Sequence, residues 1–196
     1  MSSEIKIREY LEKSGWTREV AGEADFTAAV QAIKAADEGR LGLLLSGCCG
    51  VGKTALVRIV AAAFGHHRFI DLSDREEIEK LSDEWQELWS ENLHEENVVL
   101  DDAGAELPAN EFGVRLEPVA VFIAARHSRC MGKSPFPRLF VTTNLTAAEM
   151  DARYGARTYS RLKDLCVPLK LVGKDKRTWQ VGRPRRGRRG RARRRG

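Results

Sequence analysis

The sequence predicts an α/β fold built on a mostly parallel sheet. Three observations carry that expectation. Short apolar runs alternate along the chain with segments of helical periodicity. The runs at 41–45, 97–100 and 138–142 are apolar almost throughout instead of alternating, which is how strands covered on both faces read. A glycine-rich stretch joins the first of these runs directly to the helix that follows it.

Taken in order, residues 5–13 and 26–37 read as helices. In the second, Phe26, Val30, Ile33 and Ala36 fall near helical spacing, and Asp25 or Thr27 stands where a cap would be. Asp37 to Arg40 is a turn, and 41–45 is the first buried strand. A helix over 54–64 is stopped by Gly65, and 68–72 is a short strand. Residues 74–92 carry Ile78, Leu81, Trp85, Leu88 and Trp89 at helical spacing, with an acidic opposite face. That face would repel phosphates, so the segment reads as a packed helix. The strand at 97–100 runs into Asp101 and Asp102. Pro118 opens a helix over 117–129. The strand at 138–142, short helices over 147–154 and 157–165, and a last strand at 167–172 complete the body.

At 196 residues and 22.0 kDa, 42% hydrophobic and 31% charged, the chain has the composition of a globular protein with room for a real core. A fibrous or wholly disordered protein is excluded. No uninterrupted apolar run approaches the ~18 residues of a membrane span, and the first residues lack a secretory apolar run, so a cytoplasmic protein is expected. The net charge of +5 hides an asymmetry. Residues 183–196 hold nine Arg and no acid; removing those nine charges from +5 leaves −4 on residues 1–182. Cys48, Cys49, Cys130 and Cys166 form no Cys-x-x-Cys pair, and His66, His67, His94 and His127 have no ligand spacing. The sequence therefore offers neither a disulfide framework nor a zinc site, as suits a reducing compartment.

The stretch Gly47-Cys48-Cys49-Gly50-Val51-Gly52-Lys53-Thr54 fits the spacing of a phosphate-binding loop in full. Its glycines let successive N–H groups turn toward phosphates, and the following helix adds its positive end. Lys53 would reach the β- and γ-phosphates and Thr54 would ligate Mg²⁺. The candidate nucleotide-binding residues are these eight and Ala55. Asp101 and Asp102 end a buried strand beside this loop. Asp101 is the expected Mg²⁺ carboxylate, and Asp102 the expected activator of the attacking water; Glu106 competes for that second role. Asn144, at the polar end of the next strand, is placed to orient water against the γ-phosphate and, with Thr146, to cap a helix; both roles can hold at once. In Tyr154-Gly-Ala-Arg157-Thr-Tyr-Ser-Arg161, either arginine is placed to reach a γ-phosphate in a neighbouring subunit or to pair with surface acids.

The set GCCGVGKT, VVLDDAGAE, LFVTTNL and YGARTYSRL, in that order over about residues 40–170, resembles AAA+ ATPases of the DnaC type. These are replicative helicase loaders, close to the IstB transposition helpers and to phage-borne versions. The resemblance implies a P-loop NTPase three-layer sandwich with a mostly parallel sheet, the AAA+ core. It makes Lys53 and Thr54 Walker A residues, Asp101 and Asp102 Walker B, Asn144 sensor 1 and Arg161 the arginine finger, with Arg157 a second candidate. It further implies ATP and Mg²⁺ as ligands, a nucleotide-dependent homo-oligomer, and single-stranded DNA with a replicative helicase or a transposase as partners. The chain departs from the family in its short segment ahead of the first strand and in a lid expected to be reduced or absent. Three segments follow: a short N-terminal helical segment over 1–38, the ATPase core over 39–176, and a disordered Arg/Gly-rich tail over 177–196. Such a tail binds nucleic acid by neutralising phosphates, with little sequence preference. A nucleotide-gated DNA-binding module with negligible turnover is the reading from another class.

Overall fold

The computed structural model describes residues 4–74, 96–111, 114–130 and 137–176. The elements run α1 (Glu4–Lys13), α2 (Arg18–Ala21), α3 (Glu23–Glu38), β1 (Gly42–Ser46), α4 (Lys53–Ala63), β2 (His67–Asp71) and β3 (Asn97–Ala103). They continue with β4 (Ala109–Glu111), β5 (Val114–Leu116), α5 (Pro118–Cys130), β6 (Leu139–Thr143), α6 (Ala147–Tyr154), α7 (Ala156–Leu165) and β7 (Cys166–Lys170).

Five strands form one sheet in the order β2-β3-β6-β1-β7, with every pairing parallel. The apolar strand runs are explained by what covers them. Successive side chains on a strand point to opposite faces. Leu43 and Leu45 of β1, Val99 of β3 and Phe140 of β6 join a core with α1, α3 and α4. Leu44, Val98, Leu100, Leu139 and Val141 join a second core with α5, α6 and α7. Both faces are therefore dry, and the architecture is a three-layer α/β sandwich. β1 lies between β6 and β7, while the chain leaving it through α4 returns at the far edge as β2. Clefts for ligands open beyond the carboxyl ends of strands where connections diverge in this way.

Several boundaries differ from the sequence reading. Gly22, not Asp25 or Thr27, stands at the N-cap of α3. Asp25 lies inside that helix, buried, and its carboxylate accepts from the N–H groups of Val172 (3.0 Å) and Gly173 (2.9 Å). A long-range partner thus claims the side chain that local spacing assigns to a cap. β3 continues through Asp101 and Asp102 to Ala103. The four-residue α2 and the antiparallel β4–β5 pair leave no mark in the sequence, because elements that short carry no periodicity. The helix expected over 74–92 and the basic tail lie outside the described residues. Among the described residues no helix is long and apolar enough to cross a membrane.

Candidate nucleotide site

Strand β1 delivers the chain to its carboxyl end at Ser46, and α4 starts at Lys53. Between them Gly52 takes a left-handed conformation, φ 99° and ψ 21°, that turns the loop into the helix. No side chain caps α4, so its first-turn N–H groups keep the capacity to bind an anion. The loop borders a cavity of about 300 Å³ whose wall includes Cys49, Gly50, Gly52, Lys53, Thr54 and Ala55. Asp102 from β3, Asn144 from the end of β6 and Lys176 from beyond β7 complete it. Three strand ends and the loop thus meet at one space.

Lys53 is buried, and all three donors of its ammonium are engaged. They go to Gly47 O (3.0 Å), Cys48 O (3.0 Å) and Asn144 Oδ1 (2.7 Å). Burial lowers its pKa from the ordinary lysine value, and the negative charge of Asp102 acts against that shift. Because Lys53 can only donate, the Asn144 amide must present its oxygen to it. Its Nδ2 then faces Asp102 Oδ1 at 3.4 Å. The helix-cap role for Asn144 is not used. Thr146 caps α6 in a reciprocal box with Glu149.

Thr54 Oγ1 donates to Asp101 Oδ1 at 3.1 Å, and the buried Thr142 hydroxyl donates to the same oxygen. Thr142 Oγ1 in turn accepts from the Asp102 N–H at 2.8 Å. One hydroxyl on β6 thereby sets both acids of β3. Burial raises the Asp101 pKa; the Thr142 and Thr54 hydroxyls pull it down, and the charges of Asp102 and Asp71 push it up again. Thr54 and Asp101 form a hard-oxygen pair beside a desolvated carboxylate, which suits Mg²⁺ completed by phosphate and water oxygens. Among the described residues no three acidic, His or Cys side chains converge as an all-protein metal cage.

Asp102 has φ 57°, one of two non-glycine residues at positive φ among the described residues, and the β3–β6 register shifts between Leu100 and Ala103. The bulge turns the backbone there, and Asp102, unlike the buried Asp101, borders the cavity. Glu106 is not brought to the cavity. Its carboxylate is buried and accepts from Gly104 N–H (2.7 Å), from Arg153 Nη2 (3.1 Å) and from the Tyr154 hydroxyl. Arg153 also reaches Gly104 O and Glu106 O and approaches Glu117 at 3.3 Å. Arg157 is exposed and Arg161 half-buried on α7, four residues apart and so on one face of that helix. Neither borders the cavity of its own chain. Cys48 and Cys49 are exposed free thiols. Two residues at the site carry no role in the sequence reading. Thr142 stands inside the LFVTTNL run without a function of its own, and Lys176 follows the last strand in a short polar stretch.

Sheet order and glycine loop define a three-layer α/β sandwich with the P-loop NTPase fold. The fold is similar to the crystal structure of the DnaC helicase loader, with a TM-score of 0.50 and 20% sequence identity, over 75% of this chain and 90% of that one. NtrX from Brucella abortus, solved in complex with ATP, aligns over 76% of this chain and 37% of its own, with 13% identity and a TM-score of 0.47. No protein-family model and no curated protein sequence matches the chain.

Proposed function

We propose that this chain is a Mg²⁺-dependent ATPase of the helicase-loader kind, acting as a nucleotide-driven switch on single-stranded DNA and a replicative helicase. The observation that carries the reading is the convergence of Lys53, Asp102 and Asn144 on one cavity, with the Thr54–Asp101 pair at its edge. The loop N–H groups and Lys53 bind the polyphosphate. Thr54 and Asp101 would hold Mg²⁺, which would offset negative charge on the phosphates. Asp102 and Asn144 orient the attacking water. Asp102 takes that role over Glu106 because Glu106 spends its oxygens on Arg153, Tyr154 and Gly104. Arg161, with Arg157 as the second candidate, completes the site of a neighbouring copy, so the active form is a homo-oligomer. The likeness to the DnaC loader favours a helicase over a transposase as the protein partner.

The test is ATP hydrolysis per subunit against protein concentration, with and without single-stranded DNA. The rate should climb with concentration and climb further with DNA, and Arg161→Ala should lose the climb while still binding ATP. Loss of a trans-acting arginine costs about 10³-fold or more in turnover. A flat, near-zero rate with tight ATP binding, unchanged when the helicase is added, would leave only the nucleotide-gated DNA-binding module.

A further inference from the structure

Beyond β7 the chain crosses the phosphate loop as a strap over residues 171–176. Leu171 N–H donates to Ser46 O at 2.8 Å, at the carboxyl end of β1. The Asp25 carboxylate then clamps the N–H groups of Val172 and Gly173. Lys176 N–H donates to Gly50 O at 3.0 Å, and Lys176 Nζ donates to Val51 O at 2.7 Å. The fit between strap and loop is close. Gly50 has φ 80°, and a Cβ there would lie 1.8 Å from Asp175 Oδ1. A side chain at position 50 would have to push the Asp175 side chain aside.

This path puts a second ammonium group on the nucleotide cavity. Lys176 borders the same space as Lys53, Thr54, Asp102 and Asn144. The two lysines differ in what holds them. Lys53 commits all three donors, to two loop carbonyls and Asn144. Lys176 spends one on Val51 O and rests its charge 5.7 Å from the centre of the Trp16 ring. Burial pulls its pKa below the ordinary lysine value, with Asp25 acting against the shift, so the charge is partly stripped of water. A phosphate oxygen is the partner such a group gains most from.

We propose that Lys176, delivered by the 171–176 strap, is a second cation for the nucleotide's polyphosphate, facing it from the strap side of the loop. The inference rests on the reading of the cavity as an ATP site. The experiment is equilibrium binding of MgATP, MgADP and AMP to the full chain, alongside the thermal midpoint of each ligand-free variant. Lys176→Met keeps the aliphatic stem and removes the charge. It should weaken MgATP about tenfold or more and weaken AMP least, with any drop in the ligand-free midpoint no larger than the loss of the hydrogen bond to Val51 O accounts for. Lys176→Arg should stay within about threefold of the parent chain. If Lys176→Met fails to fold, Lys176→Gln carries the same expectation. MgATP affinity unchanged in the charge-removing variant, with Lys53→Ala still abolishing binding, would overturn the role of Lys176 and leave the ATP site standing. A parent chain that binds no nucleotide at all would overturn both.

Discussion

At the scale of single residues, the site is organised around charges held where water cannot fully solvate them. Asp101 is the clearest case. Its carboxylate is 3% exposed, it receives two threonine hydroxyls, and Asp71 and Asp102 stand close enough to repel it. A carboxylate in that position is costly to the folded state unless a cation shares the space. The sign follows from linkage. With its pKa raised, native Asp101 holds its proton after the unfolded chain has lost one. Stability therefore falls as pH rises from the ordinary aspartate range, about 3.9, through the raised native value. Asp101→Asn removes the charge yet keeps an oxygen for Thr54 and Thr142. We expect it to stabilise the ligand-free fold at pH 7 by on the order of 1 kcal/mol, raising the thermal midpoint, to flatten that stretch of the stability–pH curve, and to remove MgATP hydrolysis. Thermal melts from pH 4 to 8, with and without MgATP, check all three. A lowered midpoint at pH 7 would show that the Asp101 charge is compensated within the protein.

At the scale of elements, the strands are the frame and the buried charges between helices set how they sit. Arg126 on α5 is 0% exposed. Its Nη2 donates to Glu96 O (2.8 Å), Pro137 O (2.9 Å) and Arg138 O (3.2 Å), tying the approaches to β3 and β6 together. Glu106, Arg153 and Tyr154 do the same between the loop after β3 and α6. Arg126→Ala removes the guanidinium from all three carbonyls, of which Arg138 O keeps the Val98 N–H, and empties a buried site, and we expect a loss of about 3 kcal/mol or more in denaturant unfolding. Arg126→Lys should recover part of it. These residues also mark what the sequence could convey. Periodicity and apolar runs disclose β1, β3, β6 and the helices around them, because burial on two faces leaves a mark on every residue of a strand. The loop from Gly47 to Thr54 is legible because phosphate chemistry needs its glycines at fixed spacing. Arg126, Glu106 and Asp25 are not, since a charge on a helix or loop reads as surface until its distant partner is known. Lys176 fails to show for the same reason. Its acceptor, Val51, lies far back in the chain and meets it only once β7 has paired with β1.

At the scale of the whole molecule, charge is divided between body and tail. Residues 1–182 carry a net −4 and residues 183–196 nine Arg without an acid. A net-negative body gains nothing in general from approaching a nucleic-acid backbone, whereas the tail gains with each phosphate it neutralises. The geometry ties this to the candidate nucleotide cavity. Lys176 sits at the cavity, and the span from there to Arg183 is at most about 25 Å of extended chain. If the tail binds DNA as proposed, the first arginines would hold it near that cavity. For a single strand, each neutralised phosphate contributes about −0.7 to the slope of log affinity against log salt. Full use of the tail predicts a slope near −6, and removal of residues 183–196 should cut most of it while leaving hydrolysis without DNA unchanged. Fluorescence anisotropy of a labelled oligonucleotide across a salt series measures the slope directly. With no aromatic residue in the stretch removed, the affinity should also be nearly the same for oligonucleotides of different base composition. A truncated chain that keeps the full slope would place the DNA contact on the body, against its net charge, and would make the arginines in the tail dispensable for it.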